Sequence, residues 1–331
     1  MSESRIVVLT TGGTIASEPG ASGRSRSGAI AGDALLARAG LTERHRSRVD
    51  VESVLQKPSN AITLADLITL HRRCAELAKT DDVEGIVITH GTDTLEDTAY
   101  FLDITLAPGP TVVITGSQRA PHQAGTDAFG NIADAIQVAA SPAARGLGTL
   151  VVFNQTIFSA RHVRKVSTYQ LHGFAAPTTG PLGYVDGDEV RIFNRPVSPA
   201  SLPLKTTGAL PRVDIVTAYL DAAPDLLRAS IVSGARGIVI EGLGRGHVPP
   251  NWVEAVAEAS RDGIAVGIVS GCLAGAVHQS YEFVGSLSSL EQAGAFPIID
   301  LSSRKARLLL SVILADPGTA DVRASLRAVA V

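Results

Sequence analysis

Aromatic residues make up only 4% of this 331-residue chain, with a single Trp and a single Met. Val, Ile, Leu and Ala must therefore fill the interior, a composition that suits strands buried on both faces. Cysteine is as scarce. Cys74 and Cys272 stand far apart, which excludes a disulfide framework and a cysteine zinc motif. The eight histidines form no HxxxH pair, so no metal is expected. GxGxxG and Walker patterns are missing, and no cofactor is expected either. Lys and Arg number 29 against 32 Asp and Glu, a formal net charge of -3. Without clustered positive charge a nucleic-acid partner is disfavoured; the short run Arg44, Arg46, Arg48 reads as a solvated face. No apolar run approaches the ~20 residues of a membrane span. The run Ile6-Val7-Val8-Leu9 is too short for a signal-peptide core. The expected location is the cytoplasm, with no membrane partner.

What is present is a βα rhythm. Short aliphatic runs at 6–9, 85–89, 111–115 and 149–153 read as buried strands. Amphipathic stretches at 64–78, 94–107 and 127–140 read as helices between them. This order predicts an α/β fold with a parallel sheet and helices on both faces. From about Gly180 to Pro211 the chain is punctuated by Pro181, Pro196, Pro199, Pro203 and Pro211, and 184–193 alternates like a hairpin around Asp186-Gly187. The rhythm then restarts, with strands at 213–217, 237–240 and 265–269 and helices at 225–233, 250–261 and 303–315. The expected organisation is a larger N-terminal parallel-sheet α/β domain over 1–190, a linker over 191–210, and a smaller C-terminal α/β domain over 211–331.

Three segments could carry chemistry. Thr10-Thr11-Gly12-Gly13-Thr14 follows the first strand, at the carboxyl edge where open α/β sheets bind ligands. Paired glycines permit a sharp turn that exposes backbone N–H groups to an anion. Alone it is a weak signal, equally a tight turn. Thr89-His90-Gly91-Thr92-Asp93-Thr94 follows another strand and opens a helix. Asp93 there reads locally as a helix cap; the functional reading has it holding a substrate ammonium beside the Thr92 hydroxyl. Lys165 reads by default as a surface lysine. Desolvated beside a threonine, it could instead take a hydroxyl proton.

Taken together, residues 11–16 and 89–100 (THGTDTLEDTAY) closely resemble the two signature motifs of the bacterial-type L-asparaginases and glutaminase-asparaginases. Residues 55–63 (LQKPSNAIT), 115–121 (TGSQRAP), 181–184 (PLGY) and 305–310 (KARLLL) resemble further family segments, so the likeness spans nearly the whole chain. The resemblance implies hydrolysis of L-asparagine to L-aspartate and ammonia, with minor glutaminase activity beside it. It implies Thr14 as nucleophile and Thr92, Asp93 and Lys165 as a second triad. Ser59 and Asn60, with Thr92 and Asp93, would bind the amino-acid substrate; Asn60 stands where many members have glutamine and keeps an amide donor. A homotetramer built as a dimer of intimate dimers is the implied assembly.

The chain also departs from the family. Members commonly carry a tyrosine just after the first motif, and here no tyrosine precedes Tyr100. The corresponding stretch, 18–28, is rich in Gly and Ser and reads as a flexible lid, with Arg24 and Arg26 in the tyrosine's neighbourhood. Arginine cannot accept a proton at neutral pH. His247 stands where asparagine is often found, either a loop histidine or a donor to a neighbouring subunit's substrate. Glu282 is the candidate for the carboxylate of the first triad, or a plain solvent-exposed glutamate. These departures leave two alternatives open: an amidase for a different small amide, and a catalytically silent amino-acid sensor.

Overall fold

The computed structural model describes residues 4–20, 25–26, 28, 30, 32–41, 48–197, 201–205, 208–318 and 321–329. Two compact units divide the chain, Met1–Ser198 and Pro199–Val331.

The N-terminal unit is built on an eight-stranded sheet. In chain order its strands begin with β1 (Arg5–Gly12). A short separate ribbon of β2 (Glu18–Pro19) and β3 (Ser25–Arg26) follows, then β4 (Val49–Lys57), β5 (Val83–Thr89), β6 (Thr111–Thr115), β7 (Leu150–Phe153) and β8 (Thr156–Ser159). A second small ribbon pairs β9 (Arg164–Lys165) with β10 (Phe174–Ala175), and β11 (Gly183–Asp186) with β12 (Glu189–Ile192) closes the set. The sheet order is β12-β11-β8-β7-β6-β5-β1-β4. From β4 to β7 the pairings are parallel; β7–β8, β8–β11 and β11–β12 are antiparallel. The sheet is thus parallel over its site-bearing part only. Tight turns join β7 to β8 and β11 to β12 and return the chain antiparallel, whereas a parallel neighbour needs a crossover; a longer connection carrying β9 and β10 joins β8 to β11. The β7–β8 turn is Asn154-Gln155, both with positive φ (49° and 62°), a backbone that matches the twist of its hairpin.

Ile6, Val7, Val8 and Leu9, like Ile86, Val87 and Ile88, are buried to within a few per cent, as central parallel strands covered by helices require. The helix Leu64–Leu77 starts at a capping box: the Asp66 N–H donates to Thr63 Oγ1, and Asp66 Oδ2 accepts from the Thr63 N–H at 2.8 Å. The helix Ala128–Ala140 packs Ile132 and Ile136 into the core formed with Val8, Val87 and Val113. It approaches so closely that a Cβ at Gly85 would sit 2.5 Å from the Ala139 carbonyl oxygen. Register matters most for function. Thr10 pairs with Thr89, and Thr89 with Thr115, so the ends of three adjacent strands lie level at one sheet edge.

The C-terminal unit repeats the plan at smaller scale. Strands β13 (Val213–Thr217), β14 (Gly237–Gly242), β15 (Ala265–Ser270) and β16 (Phe296–Pro297) lie parallel in sequential order. Trp252, on the helix Trp252–Arg261, fills the core against Ile240 and Ile268. Its indole N–H donates to the Ala222 carbonyl at 2.8 Å, as a buried polar group requires. Among the described residues, no helix is long and apolar enough to cross a membrane.

Candidate active site

The two threonine-bearing turns meet through glycine. Gly12 and Gly13 take φ of 101° and 83°, a region closed to most side-chain-bearing residues. A Cβ on Gly13 would lie 2.4 Å from Gly91 Cα, and one on Gly91 would lie 2.7 Å from Ser59 Oγ. The turns carrying Thr14 and Thr92 are therefore packed backbone to backbone, with Ser59 against them. Thr11 Oγ1 reinforces the contact by donating to the Thr89 carbonyl at 2.9 Å. Thr14 opens a single 3-10 turn, Thr14–Ala16, and is half-buried between the buried residues Gly13 and Ile15.

At the second turn, Lys165 Nζ donates to Thr92 Oγ1 at 2.7 Å and to Asp93 Oδ1 at 2.7 Å. The lysine side chain is 16% exposed and the aspartate's 67%. Lys165 is therefore no ordinary surface lysine. Nor is Asp93 the helix cap that its position allows: Thr94 is the cap residue of the helix Leu95–Thr105. An ion pair this open to water adds little stability, about 0–1 kcal/mol. Ser59 is buried, and its hydroxyl accepts the Asp93 N–H at 3.3 Å, leaving its own proton for another acceptor. Its carbonyl accepts from Thr94 Oγ1 at 2.8 Å. Asn60, the next residue, is exposed. The structure brings Thr14, Ser59, Thr92, Asp93 and Lys165 to one edge of the N-terminal sheet, with Asn60 beside them.

Four supporting residues carry no role in the sequence reading. His90 is fully buried, with Nδ1 2.8 Å from the Gly91 carbonyl and Nε2 2.9 Å from Thr98 Oγ1. Nδ1 therefore carries the proton and Nε2 accepts the Thr98 hydroxyl, the one arrangement that satisfies both. Burial holds the imidazole neutral, with its pKa pushed down to about 4. Gln118 donates through Nε2 to the carbonyls of Ser167 (3.2 Å) and Gln170 (3.1 Å), which turns its carbonyl oxygen toward Thr92 Oγ1, 3.5 Å away. Asp127 accepts the N–H groups of Gln118 and Arg119, and Asn131 Nδ2 donates to the Gly116 carbonyl at 2.8 Å. The Gln118 contacts with Ser167 and Gln170 join segments about 50 residues apart, so spacing alone did not announce them.

Of Arg24 and Arg26, the former lies outside the described residues. Arg26 is 73% exposed on the β2–β3 ribbon, 3.8 Å from Glu18. In the C-terminal unit His247 is half-buried. Its ring meets Tyr281 and Phe283 edgewise at 5.3 and 5.0 Å, and its Nδ1 is buried without a hydrogen-bond partner among the described atoms. Desolvation, then the nearby Arg245, lowers its pKa. Glu282 is exposed.

An α/β unit with hydroxyls, a lysine and a carboxylate at the carboxyl edge of its parallel strands fits the class of a hydrolytic enzyme. Residues 5–198 match the family described as asparaginase, N-terminal, and residues 212–325 the glutaminase/asparaginase C-terminal domain. The chain belongs to the asparaginase family. It is 42% identical over 311 residues to an L-asparaginase of Bacillus licheniformis, covering 94% of this chain and 95% of that one. It is 35% identical over 269 residues to a glutaminase-asparaginase of Pseudomonas fluorescens biotype A, covering 79% and 74%. The crystal structure of a probable cytoplasmic L-asparaginase from Campylobacter jejuni superposes with a TM-score of 0.87 at 30% identity, covering 98% of this chain and 99% of that one.

Proposed function

We propose that the protein hydrolyses L-asparagine to L-aspartate and ammonia, with Thr14 as the nucleophile. The observation that carries this reading is the double contact of Lys165 Nζ with Thr92 Oγ1 and Asp93 Oδ1, both at 2.7 Å. It brings a proton-transfer group, a hydroxyl and a carboxylate together beside the Thr14 turn. In the proposed reaction Asp93 receives the substrate's α-ammonium, and Ser59, aided by Asn60, its α-carboxylate. Thr14 Oγ1 attacks the side-chain amide carbon, its proton ending on the amide nitrogen that leaves as ammonia, and backbone N–H groups of the Gly12-Gly13 turn take the charge of the tetrahedral oxygen. Ammonia departs, and water cleaves the acyl-enzyme with Thr92 and Lys165 handling the proton. An ammonium accepts no proton. Lys165 must therefore shed a proton before it serves as a base.

Glutamine is one methylene longer, which a pocket discriminates by only about 10–200-fold. Minor glutaminase activity is proposed with the main one, and the glutaminase-asparaginase name of the Pseudomonas relative supports it. A homotetramer, a cytoplasmic location and the division at 191–210 belong to the same proposal. Light scattering, cell fractionation and limited proteolysis respectively check them.

The direct test is ammonia release from L-asparagine, L-glutamine, D-asparagine and a panel of small amides, by the wild type and Thr14→Ala. The proposal expects L-asparagine to lead the panel and Thr14→Ala to abolish turnover. Another amide in the lead would favour a different amidase. Binding of L-aspartate with no turnover of any amide would favour a sensor.

A further inference from the structure

Glu96 is buried in the N-terminal unit, 2% exposed, in the first turn of the helix Leu95–Thr105. A glutamate there is common, since it complements the helix dipole and usually lies in water. This one is buried away from solvent. Its Oε2 accepts the backbone N–H of Lys165 at 2.6 Å, across 69 residues of sequence. We propose that Glu96 is a positioning residue: it sets where the Lys165 amine sits relative to Thr92 and Asp93. The proposal rests on the reading of Lys165 as part of the reactive set.

Lys165 needs such an anchor. Its strand, β9, is two residues long and, among the described residues, pairs only with the equally short β10. The segment beyond it, Val166, Thr168, Tyr169 and Gln170, is exposed. A ribbon of that length does not fix its own position on a sheet. Glu96 ties its start to the helix that follows the Thr92-Asp93 turn directly, so base and hydroxyl share one rigid element. Gln118 holds the far end through the Ser167 and Gln170 carbonyls. The fit there is close, because a Cβ at Gly173 would lie 2.2 Å from Gln118 Nε2. A reactive amine displaced by about 1 Å costs on the order of a hundredfold in rate, which gives the anchor a kinetic consequence beyond the fold.

A double-mutant cycle tests this. The kcat and KM for ammonia release from L-asparagine are measured for wild type, Glu96→Ala, Lys165→Met and the double variant, with Glu96→Gln alongside and thermal unfolding recorded for each. Glu96→Ala is expected to lower kcat by about 30-fold or more while KM stays within about threefold. Glu96→Gln keeps an acceptor for the Lys165 N–H and recovers about tenfold or more of that loss. In the Lys165→Met background, Glu96→Ala then costs no more than about threefold, because a residue acting through Lys165 has nothing left to position.

Additive losses, or Glu96→Ala at wild-type kcat beside a crippled Lys165→Met, would overturn the positioning role and leave the site reading intact. Full activity in Lys165→Met would instead sink the site reading, and the proposal with it. Should Glu96→Ala fail to fold, Glu96→Asp carries the test. One methylene shorter, it is expected to lower kcat in a folded enzyme, and wild-type kcat in Glu96→Asp would overturn the proposal.

Discussion

The two units share an architecture and differ in what they bury at the strand ends. In the N-terminal unit Thr10, Thr11, Ser59, Thr89, His90, Thr92, Thr115 and Ser117 are all buried at or just beyond the carboxyl edge of the sheet. In the C-terminal unit the glycine-rich turn after β14 leaves Leu243, Gly244 and Arg245 exposed, and the ring of Tyr281 is exposed beside His247. Buried polar groups need partners, and at this edge Thr11, Ser59, His90, Thr92 and Thr115 have them, whereas Thr89 Oγ1 and Ser117 Oγ have none among the described atoms. The N-terminal edge is where hydroxyls, a lysine and a carboxylate meet. A parallel sheet offers a site at its carboxyl edge; the polar density there decides whether the offer is used.

That contrast can be broken at several points. The largest effect is expected at Lys165. Lys165→Met should lower kcat for L-asparagine by about 10³ or more, in line with loss of a residue acting within a catalytic set, while thermal unfolding shifts little because the pair is open to water. Next come the two glycine turns. Gly13→Ala must drive a Cβ into the Gly91 backbone at a positive φ, and should cost about 3 kcal/mol or more in chemical unfolding. Gly244, at φ 50° with nothing within 4 Å of a built Cβ, should lose only about 1 kcal/mol as Gly244→Ala. Equal costs would contradict the tight packing assigned to the first turn.

His90 should shape the acid limb of stability. Its pKa is about 4 when folded, against 6.5 for the free side chain. Between those values the unfolded chain holds a proton that the folded chain does not. The contribution is therefore present above pH 6.5 and is lost as pH falls toward 4, by roughly 3 kcal/mol in all. Unfolding titrations of His90→Gln should show a shallower slope across that window. Asp134 acts with the opposite sign and more weakly. Burial raises its carboxyl to about 6, partly offset by the Gln155 backbone N–H. Here the folded chain holds the extra proton, so the contribution is present below pH 3.8 and lost as pH rises through 6. Asp134→Asn should raise stability at pH 7.5 by roughly 1 kcal/mol, a discounted figure because the group is partly solvated.

Much of this was legible in the residues, because it is local. The aliphatic run 111–115 became a strand with those bounds, since a strand buried on both faces announces itself by continuous apolarity. The turns after β1 and β5 could be read from their glycines and threonines. Strand β4 escaped, because its half-buried pattern alternates with charged residues and has no continuous apolar core. The antiparallel β8 escaped, because its direction is set by the two-residue turn after β7 and not by composition; the β11–β12 hairpin, by contrast, was legible in the alternation over 184–193. Glu96 and Gln118 were present in the quoted motifs, yet their partners lie 69 and about 50 residues away, and only three-dimensional contact assigns them a use. Asp93 shows the reverse case. Local rules made it a cap, and the tertiary partner Lys165 claimed it instead.

The most direct test is a crystal structure of the protein grown with L-aspartate. The account predicts the ligand's α-ammonium on the Asp93 carboxylate, its α-carboxylate on the Ser59 hydroxyl, and its side-chain carboxylate between the hydroxyls of Thr14 and Thr92. Aspartate bound elsewhere, or a ligand at this edge that leaves Thr14 and Thr92 out of reach of its side chain, would contradict it.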